Sequence, residues 1–272
     1  MRRAPATAKL NLALVVGPLR ADGRHEVTTV FQRLDLADRI AVEPAPMLRV
    51  EGFPEDTLVR RALEALAAAA GVEPAWEARI WKRIPVAAGL GGGSSDAATA
   101  LRLANETLAE PLAPAKLHEL AGELGADVPF FLTSGPQLGE GVGADLTQLG
   151  LPQDYWVVLV LPKDARKAST AAVYADFDGR GGPEGYDERR AKLAEALSRV
   201  RRPRDLEALP PNDLASSPLA EELRALGALR ADVTGAGPAV YGLFHHREQA
   251  AAAERQIRLH GRTWLSVPTW YG

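Results

Sequence analysis

Pro85-Val86-Ala87-Ala88-Gly89-Leu90-Gly91-Gly92-Gly93-Ser94-Ser95-Asp96-Ala97-Ala98 decides how this chain is read. A short apolar entry runs into four glycines, then two serines and an aspartate, then an alanine-rich pattern of helical type. Glycine tolerates positive φ and lets backbone approach a ligand closely. Ser94, Ser95 and Asp96 suit the start of the helix that follows. A glycine-rich turn opening a helix aims backbone N–H groups and the positive end of the helix dipole at one place, so the expected ligand is an anion such as phosphate. No lysine stands in or directly after the loop, so this is not the G-x-x-x-x-G-K-[ST] pattern. The dinucleotide fingerprint fails too, because Ser94 occupies the place of its third glycine.

Working outward, Trp76 to Ile84 alternates as a strand leading into the loop, and Thr57 to Ala70 reads as a helix stopped by Gly71. Ala97 to Leu108 and Pro114 to Leu124 read as helices. Ala8 to Val16 reads as a strand ended by Gly17-Pro18, and the apolar positions from Val27 to Ile40 as further antiparallel strands. Gly135 to Gly143 is a glycine-rich turn region, Tyr155 to Leu161 an apolar strand, Asp187 to Val200 an amphipathic helix, and Ala231 to Phe244 a strand, glycine turn and strand.

The 272 residues carry 46% hydrophobic side chains and a net charge of -3, the profile of a globular chain with a substantial core. Near-neutral charge argues against nucleic acid as a partner. The absence of cysteine excludes disulfides, thiolate metal sites and a cysteine nucleophile. Five histidines, scattered except for His245 and His246, do not suggest a zinc cluster, and no residue is singled out as a metal ligand. Met1-Arg2-Arg3 is not followed by an apolar core of signal-peptide type, and no apolar run is long enough to span a bilayer. The expectation is a cytoplasmic enzyme without nucleic-acid or membrane partners, a monomer or weak homodimer.

Three segments suggest one site: Lys9-Leu10-Asn11, the glycine loop, and Gly125-Ala126-Asp127-Val128-Pro129-Phe130-Phe131. Alone, Asp127 reads as a turn or capping aspartate and Lys9 as a snorkelling strand lysine; together with the loop they take on another meaning. Further motifs are Asp22-Gly23-Arg24-His25-Glu26, Phe31-Gln32, Leu34-Asp35-Leu36, Asn212-Asp213-Leu214 and Thr234-Gly235-Ala236-Gly237.

These segments resemble the superfamily of galactokinase, homoserine kinase, mevalonate kinase and phosphomevalonate kinase, the GHMP kinases, whose middle motif is of the form P-x-x-x-G-L-G-S-S-A. Pro85 to Asp96 matches the variant with an extra glycine. Within it, D-G-x-H-E and G-A-D-V-P resemble the 4-diphosphocytidyl-2-C-methyl-D-erythritol kinase branch, which acts in non-mevalonate isoprenoid biosynthesis.

The resemblance implies an α+β fold of two domains with the active site in the cleft between them. A ribosomal-S5-like ATP-binding domain would span residues 1–151, and a ferredoxin-like substrate-binding domain residues 152–272. Pro85 to Asp96 would cradle ATP, with Mg²⁺ offsetting phosphate charge. Asp127 would be the general base toward the substrate 2-hydroxyl, and Lys9 would stabilise negative charge beside it. Asn11 would position the erythritol end and His25 would hydrogen-bond cytosine. Arg24 stands where the branch has tyrosine, and its guanidinium would stack on the base. Tyr174 would be a second stacking group, and Phe31 counts with the substrate-binding residues. Gly235 and Gly237 would shape the site near the substrate phosphates, while Ala236, in place of the usual serine or threonine, has no catalytic part. Asn212 and Asp213 read as a helix cap. Adenine contacts are expected among apolar positions between Leu48 and Leu66 and around Ile84. Another kinase of the superfamily, or a non-catalytic RNA-binding module on the same fold, are the competing readings.

Overall fold

The computed structural model describes residues 1–54, 57–165 and 169–269. Strands β1 (Arg2–Leu19) and β2 (His25–Pro44) form a long antiparallel pair. β3 (Arg49–Glu51) runs parallel to β4 (Trp76–Trp81), with helix α1 (Leu58–Ala70) between them in the chain. β4 pairs with β2 at residues 39–44, and β5 (Gln137–Glu140) pairs with β2 at residues 29–31. β6 (Asp145–Gln148) completes this sheet on the edge of β5.

Gly17-Pro18 does not end β1, which continues to Leu19, and the segments expected as separate strands after Val27 are one strand. A Cβ on Gly17 would lie 2.9 Å from the Tyr186 ring, so this glycine makes room for a side chain instead of breaking the strand. The glycine-rich region at 135–143 contains β5 before its turn.

Helices α1, α2 (Gly92–Asn105) and α3 (Pro114–Leu124) cover one face of this sheet. α1 buries Val59, Ala62, Leu63, Leu66 and Ala67, the i, i+3, i+4, i+7, i+8 stripe of an amphipathic helix. It ends at Gly71, whose left-handed backbone (φ 66°) donates back to the carbonyls of the last turn. α2 is buried from Ser95 to Asn105 except at Arg102, and its alanines let it lie close to α1, β1 and β2.

The second sheet holds β7 (Trp156–Pro162), β8 (Arg230–Val233), β9 (Val240–Phe244) and β10 (Gly261–Ser266), all antiparallel in the order β10-β7-β9-β8. α4 (Thr170–Gly179), α5 (Tyr186–Arg199) and α6 (Pro218–Ala225) intervene between β7 and β8. α7 (Arg247–Ile257) joins β9 to β10. This is the βαββαβ order of a ferredoxin-like sheet, with extra helices in its first crossover. Leu10 and Leu12 of β1 pack in one core with Val157 and Leu159 of β7, Leu193 of α5 and Tyr241 of β9, so apolar burial binds the two sheets together. No helix among the described residues is long and apolar enough to cross a membrane.

Candidate active site

β1 carries the first site residues because of how it is interrupted. Its register with β2 shifts between Thr7 and Lys9 and again between Asn11 and Ala13, irregularities of the kind that re-aim side chains. Lys9 and Asn11, two apart, share a face, yet both are buried, at 3% and 4% exposure. The polar face of this strand is turned into a site. Lys9 donates from Nζ to Asn11 Oδ1 (2.6 Å), lies 3.3 Å from Asp127 Oδ2, and stands 5.4 Å from the Phe31 ring centroid. The backbone N–H of Lys9 donates to Leu90 O in the glycine loop (3.0 Å). Asn11 is fixed through Nδ2 to Thr29 Oγ1 (2.7 Å) and through its backbone N–H to Thr234 Oγ1 (3.0 Å).

Asp127 sits in the turn between α3 and a 3-10 turn at Pro129–Leu132, and it is half-buried. Behind it, the buried guanidinium of Arg33 donates to Phe130 O (2.7 Å), Thr133 O (2.5 Å) and Thr7 Oγ1 (3.1 Å), between the faces of Phe130 and Phe131. Burial first, and Arg102 second, pull the Arg33 guanidinium down to a pKa of about 10.

The glycine loop turns through left-handed backbone at Ala87 (φ 62°), Gly89 (φ 86°) and Gly91 (φ 70°). Gly91 is the N-cap of α2, so the helix starts earlier than expected and Ser94, Ser95 and Asp96 fall inside its first turns. No side chain caps this end, and the first N–H groups of a helix have no acceptor within it. A Cβ on Gly237 would lie 2.2 Å from Gly89 N, so the two glycine turns meet backbone to backbone.

These elements enclose a cavity of about 580 Å³. Its wall includes Lys9, Asn11, Phe31, Asp127 and Tyr174, the loop from Pro85 to Ser94, and Gly235 and Gly237. Phe53, Leu58, Val86 and Lys82 also line it, within and beside the stretch expected to receive adenine. Ser95 and Asp96 do not reach the wall: Ser95 Oγ is buried, and Asp96 accepts from Lys82 Nζ at 2.7 Å.

Two cytidine-side expectations meet a different geometry. Arg24 is exposed, pairs with Asp22 at 3.3 Å, and is not on the cavity wall, because the turn at 20–24 holds it outside. His25 is buried off the wall, with Nδ1 2.8 Å from Gly17 O and Nε2 3.3 Å from Asp178 Oδ2. Tyr174 packs on His25 with the rings tilted by 32° and 5.0 Å between centroids, and itself lines the cavity. Asn212 and Asp213 precede no helix directly. Asn212 donates to Val233 O and Gly235 O, and Asp213 accepts from Val16 N–H and Arg189, so both tie the second glycine turn and α5 to β1.

Sequence reasoning passed over Lys82, Thr29 and Arg33, although each is a polar residue in an apolar strand context, the signal that marks a side chain with a buried partner.

Residues 57–135 match the GHMP kinases N terminal domain and residues 191–263 match the GHMP kinases C terminal family. The chain is 37% identical to a 4-diphosphocytidyl-2-C-methyl-D-erythritol kinase of Geobacter sulfurreducens, over 96% of each chain. It is 42% identical to one from an Anaeromyxobacter species, over 93% of this chain and 85% of that one. A crystal structure of 4-(cytidine 5'-diphospho)-2C-methyl-D-erythritol kinase superposes with a TM-score of 0.80 at 34% identity, covering 98% of this chain and 99% of the other. The mevalonate kinase of Methanococcus jannaschii, at 14% identity and a TM-score of 0.75 over 98% of each chain, shares the fold. This chain belongs to the GHMP kinases and, within them, to the 4-diphosphocytidyl-2-C-methyl-D-erythritol kinase family.

Proposed function

We propose that this chain transfers the γ-phosphoryl group of ATP to the 2-hydroxyl of 4-diphosphocytidyl-2-C-methyl-D-erythritol, giving the 2-phosphate and ADP in isoprenoid biosynthesis. The observation that carries the reading is the Lys9–Asp127 pair, 3.3 Å apart on the wall that the glycine loop also lines. Asp127 orients the acceptor hydroxyl and takes its proton. A carboxylate is a weak base toward an alcohol, so much of its benefit is orientation, with proton removal late in a loose transition state. Lys9, held by Asn11, stabilises the charge that develops as the phosphoryl group moves. The N–H groups at the start of α2 bind the nucleotide phosphates.

Mg²⁺ brings charge neutralisation of those phosphates. The donors at hand fit it: Mg²⁺ commonly rides on substrate phosphates with few protein ligands. Ser94 on the wall would offer a neutral oxygen in the first turn of α2, and Ser95 next to it, off the wall, carries a buried hydroxyl with no hydrogen-bond partner among the described residues. Phe53, Leu58 and Val86 face the adenine, and Tyr174 the cytosine, with His25 behind it; Phe31, Gly235 and Gly237 shape the acceptor end. The boundary between ATP-binding and substrate-binding halves lies at residues 151 and 152, between β6 and β7.

A coupled ADP-release assay with Mg-ATP tests the reading, run with the cytidylated alcohol and with uncytidylated methylerythritol phosphate. Turnover that requires both the cytidyl group and Asp127 is expected. Turnover of mevalonate or homoserine instead would overturn the substrate assignment.

A further inference from the structure

The glycine loop contains no lysine, but one reaches it from the side. Lys82, directly after β4, places Nζ 2.5 Å from Asp38 Oδ2 and 2.7 Å from Asp96 Oδ2. Both carboxyl groups are fully buried, while the lysine keeps 16% exposure and lines the cavity. Asp38 belongs to β2 and Asp96 to the second turn of α2. Asp38 also accepts through Oδ1 from the backbone N–H groups of Arg83 (2.5 Å) and Ile84 (2.8 Å), where the chain leaves β4 for the loop. A Cβ on Gly92 would lie 3.3 Å from Lys82 Nζ, so the ammonium stands beside the first residue of α2.

The charge balance there is unusual for an anion seat. A helix N-terminus offers the equivalent of about half a positive charge. Asp96 and Asp38 set two buried carboxyl groups behind that end, where neither is screened by water or salt as a surface group would be. Without a cation the seat would repel phosphate. Burial disfavours the charged form of Lys82, but its contacts with Asp96 and Asp38 outweigh this and raise its pKa, keeping it cationic.

We propose that Lys82 is a positioning residue for the nucleotide phosphates: shared between Asp38 and Asp96, it makes the N-terminus of α2 attractive to anions and pins the root of the glycine loop. This rests on the reading above that phosphates sit at the start of α2.

The test is calorimetric titration of ATP, ADP, AMP and adenosine in the absence of divalent cation, against wild type, Lys82→Met, Lys82→Arg and Lys82→Met/Asp96→Asn. Loss of the ammonium should weaken ATP about tenfold or more, ADP less, and adenosine hardly at all, since the effect scales with ligand charge. Lys82→Arg should stay within about threefold of wild type, and the double variant should recover most of the lost ATP affinity. An equal loss for all four ligands, or no loss, overturns the proposal. Should Lys82→Met fail to fold, Asp96→Asn alone asks the same question with opposite sign: it must tighten ATP more than adenosine, and failure to do so overturns it. Wild-type protein that binds adenosine as tightly as ATP would instead remove the phosphate seat itself, an outcome visible without any variant.

Discussion

Lys9 Nζ lies 3.3 Å from Asp127 Oδ2, and the two side chains differ sharply in exposure: 4% for the lysine, 35% for the aspartate. The cation is locked, held by Asn11 at 2.6 Å and backed by Phe31, while the carboxylate reaches the cavity. That asymmetry suits a fixed electrostatic partner beside a group that must meet substrate. Asp127→Asn keeps the shape and removes the charge. It should lower kcat by about 10²- to 10⁴-fold, the usual range for a general base. Nucleotide affinity, set at α2, should hold within about twofold of wild type. Stopped-flow ADP release and titration with ATP check both halves, and an unchanged kcat would remove Asp127 from the reaction.

Much of this site was readable because its signals are local. Glycines at φ 86° and 70° announce themselves as glycines, the α3 boundaries follow from Pro114 and Gly125, and Gly71 marks the end of α1. The residues that escaped notice take their meaning from distant chain. Lys82 reads as an ordinary strand polar residue until Asp38, 44 positions away, is placed on it. The β2 strand looked divided because Asp35 and Asp38 interrupt its apolar pattern. In the fold, Asp35 accepts from Ser266 Oγ and Val267 N–H, and Asp38 from Lys82 and the loop root, so each is satisfied within an unbroken strand. The glycines of the second turn were legible as a motif, but their opposition to Gly89 was not.

That opposition is tight enough to test. A methyl group at position 237 would meet Gly89 N at 2.2 Å and Ala88 C and O at 2.3 Å, all backbone atoms that cannot rotate away. Gly237→Ala should cost about 1–3 kcal/mol of stability, the range for overpacking, and raise KM for ATP by displacing the loop. Gly122, inside α3 with open space around it, is the control: Gly122→Ala should stabilise by about 0.5–1 kcal/mol. Urea denaturation of both variants decides whether the turn contact is as close as described.

Among the described residues Arg33 has no carboxylate as a bonded partner; it holds two backbone carbonyls and a threonine just beyond Asp127. Replacing it takes the guanidinium donor from Thr133 O and from Phe130 O, the latter keeping only the N–H and hydroxyl of Thr133. Arg33→Met should destabilise by about 2–4 kcal/mol. In the folded fraction it should lower kcat more than it raises KM for ATP, because the displaced turn carries Asp127. A KM change alone would separate Arg33 from the placement of Asp127.

On the cytidine side, the cavity wall favours Tyr174 over Arg24. Tyr174→Ala should raise KM for the cytidylated alcohol about three- to tenfold, the value of one aromatic stacking contact. Arg24→Ala, which loses an exposed pair with Asp22, should change it by no more than about twofold. Steady-state kinetics on both variants discriminate, and a larger effect at Arg24 would mean that the 20–24 turn folds over the base when substrate binds.

Tyr174 also offers a measurement that needs no substrate. Burial, and secondarily the negative charge of Asp127, push its phenol up to about 12 from an ordinary value of 10.0. The folded state therefore retains this proton between about pH 10 and 12 while the unfolded chain releases it, so the contribution is complete below pH 10 and is lost as pH rises through 12. Tyr174→Phe has no proton to lose. Between pH 9 and pH 11, wild type should lose about 1 kcal/mol more stability than Tyr174→Phe, a comparison in which the other titrating groups cancel. Equal losses in urea denaturation at the two pH values would mean that the ring stands open to water, and with it that the packing on His25 does not hold in solution.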